Sequence, residues 1–482
     1  MKKSTKKQAL IIGAGPAGLT AGIELLKTNK FFVTILEKDS VVGGLAKTTE
    51  FKGCRFDIGP HHYITESDKI LSWWMAIMSD DFAQKKRFTR IYYKKHFFHY
   101  PLKPFNVMQG LSIGECLRCV ANYVKVRFFP IKPVMSFQDW VTNKFGYRLF
   151  SIFFKTYTEK LWGIPCDKIS ADWAAQRIKS FDLSKAIFYA FFGWLFTKNK
   201  PRTISDAFYY PSRGSGTLWE RVADHIVKRQ PGSLLVDNEV VGIQHQDNTI
   251  IAVLTQSTTD AVVKKLQSHA VDYLFSSMPL RQLILSMDPL PPVDVIEAAK
   301  QLRYRGMITV NLVINKMSVC PDHWVYVHER EVLLTRFGNM NNFSECMVDD
   351  ATKHSALELE YFTFTDGPLW AMSDQELLDL GKRELVQIGL VQDDQILDGM
   401  VTRVPDAYPM YDENYQSCLN TVLNYLAQFS NLQLMGRNGM HCYNNMDVAM
   451  LSAMEAVDKA LEHEVRSSSQ TKQNTVDSVF LT

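Results

Sequence analysis

A six-residue turn, Gly13-Ala-Gly-Pro-Ala-Gly18, constrains this chain more than any other feature. The apolar run at residues 9–12 reads as a strand, and residues 19–27 have helical spacing. Residues 32–36 read as a second strand that ends at Glu37. Strand, turn, helix and strand within about 30 residues make a βαβ unit. In such a unit Gly13 permits the tight turn and Gly15 lets the main chain approach a pyrophosphate, while Gly18 lets the helix pack on the strand. Pro16 and Ala17 open the helix, whose unpaired N–H groups and positive dipole end face the phosphates. A carboxylate at Glu37, followed by Lys38, accepts hydrogen bonds from ribose hydroxyls and repels a 2′-phosphate.

The bulk properties narrow the rest. A chain of 482 residues exceeds one simple core, so two or three substructures are expected. The basic residues are scattered and the net charge is only +3, which argues against a nucleic-acid partner. Of the eight cysteines only Cys116 and Cys119 share a CxxC spacing, with no second pair or histidine set nearby. They read as two thiols on a helix face, so no metal is expected, and a reducing, cytoplasmic setting fits. The basic start MKKSTKK leads into a strand rather than a signal core. The aromatic run at 186–196, flanked by lysines, is too short to span a bilayer, which takes about 20 residues. It reads as a buried helix or substrate lid, with membrane-surface contact as the alternative.

From about residue 67 to 200 the pattern is mainly helical. Strand-like pieces return at 233–241, 250–255, 273–276, 307–314 and 324–337. Residues 374–388 and 447–461 read as helices, and a polar tail from Arg466 reads as loosely ordered.

After Glu37 come Val42, Gly43, Gly44 and Leu45, a glycine pair that lets the backbone pass close to a cofactor. This extended signature resembles the amine oxidase and protoporphyrinogen oxidase flavoprotein superfamily. Three later segments are similar to that superfamily's: Tyr210-Pro-Ser-Arg-Gly-Ser-Gly-Thr217, the strand at 235–241 with Val240 behind the adenine, and Gly436-Arg437 with Asp447 and Val448 at a helix start. The resemblance implies FAD as cofactor, with Arg437 neutralising the pyrophosphate. It also implies an α/β fold, a Rossmann-like FAD-binding domain of the glutathione-reductase kind with inserted helical and mixed-sheet substrate domains. The FAD domain is expected to be discontinuous (8–65, 205–280 and 428–464). A helical substrate or lid domain is expected at 66–204, a sheet-containing one at 281–427 and a loose tail at 465–482.

Further segments narrow the resemblance to the UDP-galactopyranose mutases. Asp57-Ile-Gly-Pro-His61 looks like their histidine loop, and Tyr100-Pro-Leu-Lys103 like a segment near substrate. Tyr157-Thr-Glu-Lys-Leu-Trp162 is close to the family's Tyr-Thr-x-Lys-x-Trp. Gln176-Arg177 and Thr335-Arg336-Phe337 resemble the segments with two diphosphate-holding arginines, and Tyr408 and Tyr443 match tyrosine positions. That resemblance implies an isomerase interconverting pyranose and furanose forms of a nucleotide sugar through N5 of reduced FAD, in surface polysaccharide biosynthesis. His61, Arg177 and Arg336 would be its catalytic residues. Tyr100, Tyr157, Trp162, Tyr408 and Tyr443 would bind substrate, Tyr157 and Trp162 bordering the nucleotide base. Two positions depart from the pattern: Cys442 stands where the family commonly has an arginine, and Pro60 replaces a glycine. An FAD-dependent oxidoreductase of the amine oxidase or protoporphyrinogen oxidase type is the alternative.

Overall fold

The computed structural model describes residues 6–100, 102–171, 173, 207–259 and 265–479. Its central element is a parallel sheet of five strands in the order Leu432–Leu434, Tyr273–Ser276, Lys7–Ile12 (β1), Phe31–Leu36 (β2) and Leu234–Leu235. Helices pack on this sheet, so the buried run Ala9–Ile12 of β1 is continuously apolar rather than alternating, and β2 is apolar except for Thr34. Between them runs helix α1, Pro16–Thr28. Pro16 starts it without wasting a donor, since its missing N–H would be unpaired there anyway. Asn29, in the left-handed conformation at φ 57°, ends it by donating its N–H to the Leu26 carbonyl. Leu19, Leu25 and Leu26 carry the buried face of α1 into a core shared with Ile11, Ile35 and the last helix. Each such side chain contributes about 1.5–3 kcal/mol by leaving water.

A four-stranded sheet flanks this layer: Gln267–Ala270, Thr249–Ser257, Asn238–Gln246 and Met287–Asp288. The far half of the molecule is a seven-stranded mixed sheet ordered Ile396–Pro409, Tyr304–Ile314, Ser355–Thr363, Arg336–Asn339, Trp324–Val327, Thr89–Tyr93 and His96–His99. The last two strands come from the segment expected to be a helical domain, so 66–204 is not purely helical. Thr89–Tyr93 pairs in parallel with Trp324–Val327, a partner too distant in sequence for local patterning to reveal. Ala83–Lys86 likewise pairs with Ala207–Tyr210, outside the parallel sheet. At the carboxy end the helix Met446–Val479 continues through the stretch expected to be loose. No glycine or proline interrupts residues 466–479, and polar residues other than these are tolerated in a helix. No helix among the described residues is long and apolar enough to cross a membrane. Arg177 and the aromatic run at 186–196 lie outside the described residues.

Candidate active site and cofactor cavity

The carboxy ends of β1 and β2 open into a cavity of about 620 Å³, the place where parallel α/β sheets bind ligands. Gly13, at φ +96°, turns the chain out of β1, and its N–H donates to the Leu36 carbonyl at 2.8 Å. A Cβ on Gly18 would sit 1.8 Å from the Gly13 carbonyl oxygen, so the helix starts flush against the turn. The second glycine pair closes over the first turn. The Gly43 N–H donates to the Ala14 carbonyl at 2.8 Å, and a Cβ on Gly44 would come within 3.1 Å of the Gly15 Cα.

Gly13, Gly15, Pro16, Ala17, Gly44 and Leu45 all line the cavity, and Gly43, which does not, has its carbonyl oxygen 4.0 Å from where a Cβ on Gly15 would sit. Glu37, Lys38 and Val240 line it as well. Glu37 is buried and accepts the N–H groups of Ala14 (2.7 Å) and Asp39 (3.0 Å). Burial raises its pKa, and those two bonds oppose the rise. At Val240 the ladder slips by one residue against Thr255 and Leu254, which brings Val240 and Val241 to the cavity wall together.

The opposite wall is built by His61, Gly436, Arg437 and the start of the last helix. Met446 and Ala449 present there, whereas Val448 stands 46% exposed and does not line the space. Positions 446 and 449 share a helix face, and 448 lies about 200° around from 446. Asp447 does not line the space either, and its Oδ1 is buried without a hydrogen-bond partner. His61 rather than His62 faces the cavity; His62 stacks on Trp324 at 4.9 Å. Burial, the Arg437 charge, His62 and Arg336 together push the pKa of His61 down to about 3, so it is neutral across the physiological range. Arg437 is a brace as well as a cavity cation. Its guanidinium donates to the Asn444 carbonyl (2.7 Å) and the Ala407 carbonyl (3.1 Å), which draws it towards the tyrosines rather than leaving it on the pyrophosphate alone.

Beyond the glycine cradle, Tyr408 and Tyr443 stack at 5.3 Å and 13°, with the Arg437 guanidinium 5.0 and 5.3 Å from their ring centroids. Tyr157 stacks on His328 at 5.3 Å and meets the edge of Tyr326, which in turn meets Tyr100. Arg336 stands between the two aromatic groups and makes a two-pronged ion pair with Glu360, both bonds 2.6 Å. Burial opposes its charge, but the Glu360 carboxylate and the Tyr157 and Tyr408 hydroxyls outweigh that and hold it protonated. Its Nη2 lies 3.6 Å from where a Cβ on Gly59 would sit, directly beneath the histidine loop.

Trp162 departs from expectation. It is only 1% exposed, packed edge-on to Trp173, Tyr408 and Tyr411, and so cannot border a base; it backs Tyr408 instead. Sequence patterning also missed Glu360, Tyr326 and His328, and on the cofactor side Asn238, Ser277 and Asn444.

A family model described as flavin containing amine oxidoreductase matches residues 138–461. The chain belongs to that family. A model of an NAD(P)-binding Rossmann-like domain matches residues 11–77, over the glycine turn. Among solved structures, a reduced UDP-galactopyranose mutase superposes with a TM-score of 0.79 at 18% identity, covering 95% of this chain and 94% of that one. A putative protoporphyrinogen oxidase from Exiguobacterium sp. 255-15 gives 0.70 at 15% identity, covering 95% and 99%. A putrescine oxidase gives 0.62 at 13%, with the same coverage. At these identities the likeness is one of fold. A 1-hydroxycarotenoid 3,4-desaturase from Flavobacterium sp. (strain P99-3) is 44% identical over 54 residues, which span only 11% of either chain.

This amine oxidoreductase family member is therefore a flavin-dependent enzyme with FAD as its cofactor. The residues present fit that group. Glycines stand wherever a side chain would fill the cradle, Glu37 is placed for a ribose, and the cavity volume lies within the range of small-molecule sites. Replacing Glu37 by Gln sets an amide N–H₂ against one of two main-chain donors. FAD affinity is expected to fall by about 1.5–3 kcal/mol, the value of a charge-assisted hydrogen bond. Titration of the apoprotein with FAD, followed by flavin fluorescence, measures this; unchanged affinity would remove Glu37 from the cofactor site.

Proposed function

We propose that this flavoenzyme is an isomerase of the UDP-galactopyranose mutase type, acting on a nucleotide sugar while its flavin is reduced. The observation that carries this reading is the Arg336–Glu360 pair, flanked by Tyr157, Tyr408 and Tyr443 and lying beneath the His61 loop. Bound in its reduced form, FAD supplies the nucleophile for the sugar's anomeric carbon. The protein's share is positioning and charge stabilisation. Arg336, already oriented by Glu360, meets the negative charge that grows on a departing diphosphate. Burial raises the hydroxyl pKa of Tyr157, and raises that of Tyr408 to about 12, so both remain donors to that anion. Neutral His61 can exchange a hydrogen bond with the cofactor without adding charge. Arg177 is the second diphosphate ligand in this proposal, and Arg437 with its stacked tyrosines compensates for the thiol at Cys442.

The decisive experiment runs oxidised and dithionite-reduced enzyme in parallel on UDP-sugars. Pyranose–furanose interconversion is expected from the reduced form alone. Inert reduced enzyme, together with peroxide formation from an amine or porphyrinogen by the oxidised form, would replace this reading with an oxidoreductase. That second reading is supported by the family model, whose description is that of an amine oxidoreductase.

A further inference from the structure

The helix Ile113–Phe128 has two unlike faces. One packs through Cys116, Cys119 and Val126 towards the core. The other carries Ile113, Leu117, Val120, Val124 and Phe128, spaced four, three, four and four residues apart, so they form one stripe. Every member of that stripe is exposed, between 46% and 80%. The stripe is extended at one end by Phe105 and Met108 of the preceding helix, Pro104–Gly110. At the other end it runs into a loop whose Phe129 and Met135 are 75% and 72% exposed. Single exposed apolar side chains are ordinary, but a continuous patch of this kind marks a contact surface.

Its surroundings indicate what the contact is. From residue 102 to 148 the chain holds seven Lys or Arg and two Asp or Glu, whereas the whole protein nets only +3. Of the two acids, Glu115 is paired with Arg118 and Arg148, and Asp139 caps its own helix. Lys125, Arg127 and Lys132 flank the Phe128–Phe129 tip. An apolar stripe rimmed by cations is the design of a helix that lies in the interface of an anionic bilayer. A second copy fits less well, because a two-fold contact would press two positive faces together. The surface also borders the substrate side: Tyr100 meets Tyr326 at 5.2 Å, and Tyr326 meets Tyr157 at 5.3 Å.

We propose that the face formed by Pro104–Gly110, Ile113–Phe128 and the following loop docks this enzyme on an anionic lipid surface. Docking is peripheral, with the aromatic rings entering the headgroup boundary and the cations meeting lipid phosphates or carboxylates. The proposal is independent of whether the enzyme is an isomerase or an oxidase.

The test uses the full-length, FAD-loaded protein and co-sedimentation with vesicles of phosphatidylcholine alone or mixed with phosphatidylserine. The wild type is expected to bind the mixed vesicles and to lose that binding as salt is raised. Phe128→Asp/Phe129→Asp should lower the bound fraction by at least about tenfold, since two ring burials are lost. Lys125→Glu/Arg127→Glu should abolish the preference for phosphatidylserine. All four side chains lie on the surface helix or its loop, so flavin content and unfolding temperature serve as controls on the fold. Wild-type protein that ignores mixed vesicles overturns the proposal. So does equal binding by the Phe128/Phe129 variant, or a sedimentation-velocity dimer that this variant disperses in the absence of any lipid binding.

Discussion

Arg336→Met is expected to lower the stability of the protein by about 3–5 kcal/mol and, under the isomerase proposal, to lower turnover by about 10²–10³, while Arg336→Met/Glu360→Leu recovers most of the stability and none of the lost turnover. The reason is Glu360. It lies on the strand Ser355–Thr363, has no solvent exposure, and its two oxygens are both satisfied by Arg336. Removing the arginine leaves a carboxylate in a dry interior beside Glu358, two residues away on the same strand face and equally buried. Removing both charges leaves only an apolar packing problem. Guanidinium chloride unfolding of the three proteins measures the stability. A single variant as stable as the wild type would show that the pair is not the buried clamp described above.

The same variant carries a pH signature. Burial raises the Glu360 pKa in the native protein, and the Arg336 charge pulls it back down. Without that charge the folded-state pKa lies further above the unfolded value of about 4.3. A carboxyl group with a raised folded-state pKa favours folding below its unfolded pKa and loses that advantage as pH rises through the folded one. Arg336→Met should therefore recover stability relative to the wild type as pH is lowered from neutrality towards 5. On the catalytic side, under the isomerase proposal, losing the clamp should lower kcat by about 10²–10³, the usual effect of deleting a donor to a developing anion. Flavin content should remain unchanged, because Arg336 does not line the cofactor cavity.

The contrast between Arg336 and Glu360 shows what the sequence could reveal. Arg336 stands in a short motif, but its partner lies in Ser-Ala-Leu-Glu-Leu-Glu-Tyr-Phe-Thr, whose alternation is that of a half-exposed strand. Nothing local distinguishes a glutamate facing water from one facing an arginine on the neighbouring strand, and here all nine residues are buried. The cofactor half was legible for the opposite reason. β1, the glycine turn, α1, β2 and Glu37 are contiguous, so each residue's role follows from its spacing to the next. Trp162 shows the limit of motif matching. Its spacing from Tyr157 matches the motif, but burial makes it the support of Tyr408 rather than a surface for ligand. The seven-stranded sheet was illegible because its order depends on pairings between strands such as Thr89–Tyr93 and Trp324–Val327, whose register no local pattern sets.

The contiguous half supports the other large effect: Gly18→Ala should yield protein without bound flavin. The methyl group would be placed 1.8 Å from the Gly13 carbonyl oxygen and 3.2 Å from Cγ2 of Ile11. Neither neighbour can yield cheaply. Gly13 is tied by its N–H to Leu36, and Ser277 Oγ lies 2.3 Å from where a Cβ on Gly13 would be, while Ile11 is fully buried in β1. The start of α1 must therefore move off the turn. That opens the packing of α1 on the sheet, at a penalty of about 1–3 kcal/mol for overpacking alone, and withdraws the helix N-terminus from the phosphates. Gly114→Ala is the matched control. Nothing lies within 4 Å of its added Cβ, so stability should rise by about 0.4–1 kcal/mol through the unfolded chain's lost freedom, with flavin retained. Visible absorbance of the purified proteins, before and after incubation with excess FAD, separates the two outcomes. Gly18→Ala protein as yellow as the wild type would mean that the cofactor is not held where the first turn meets its helix.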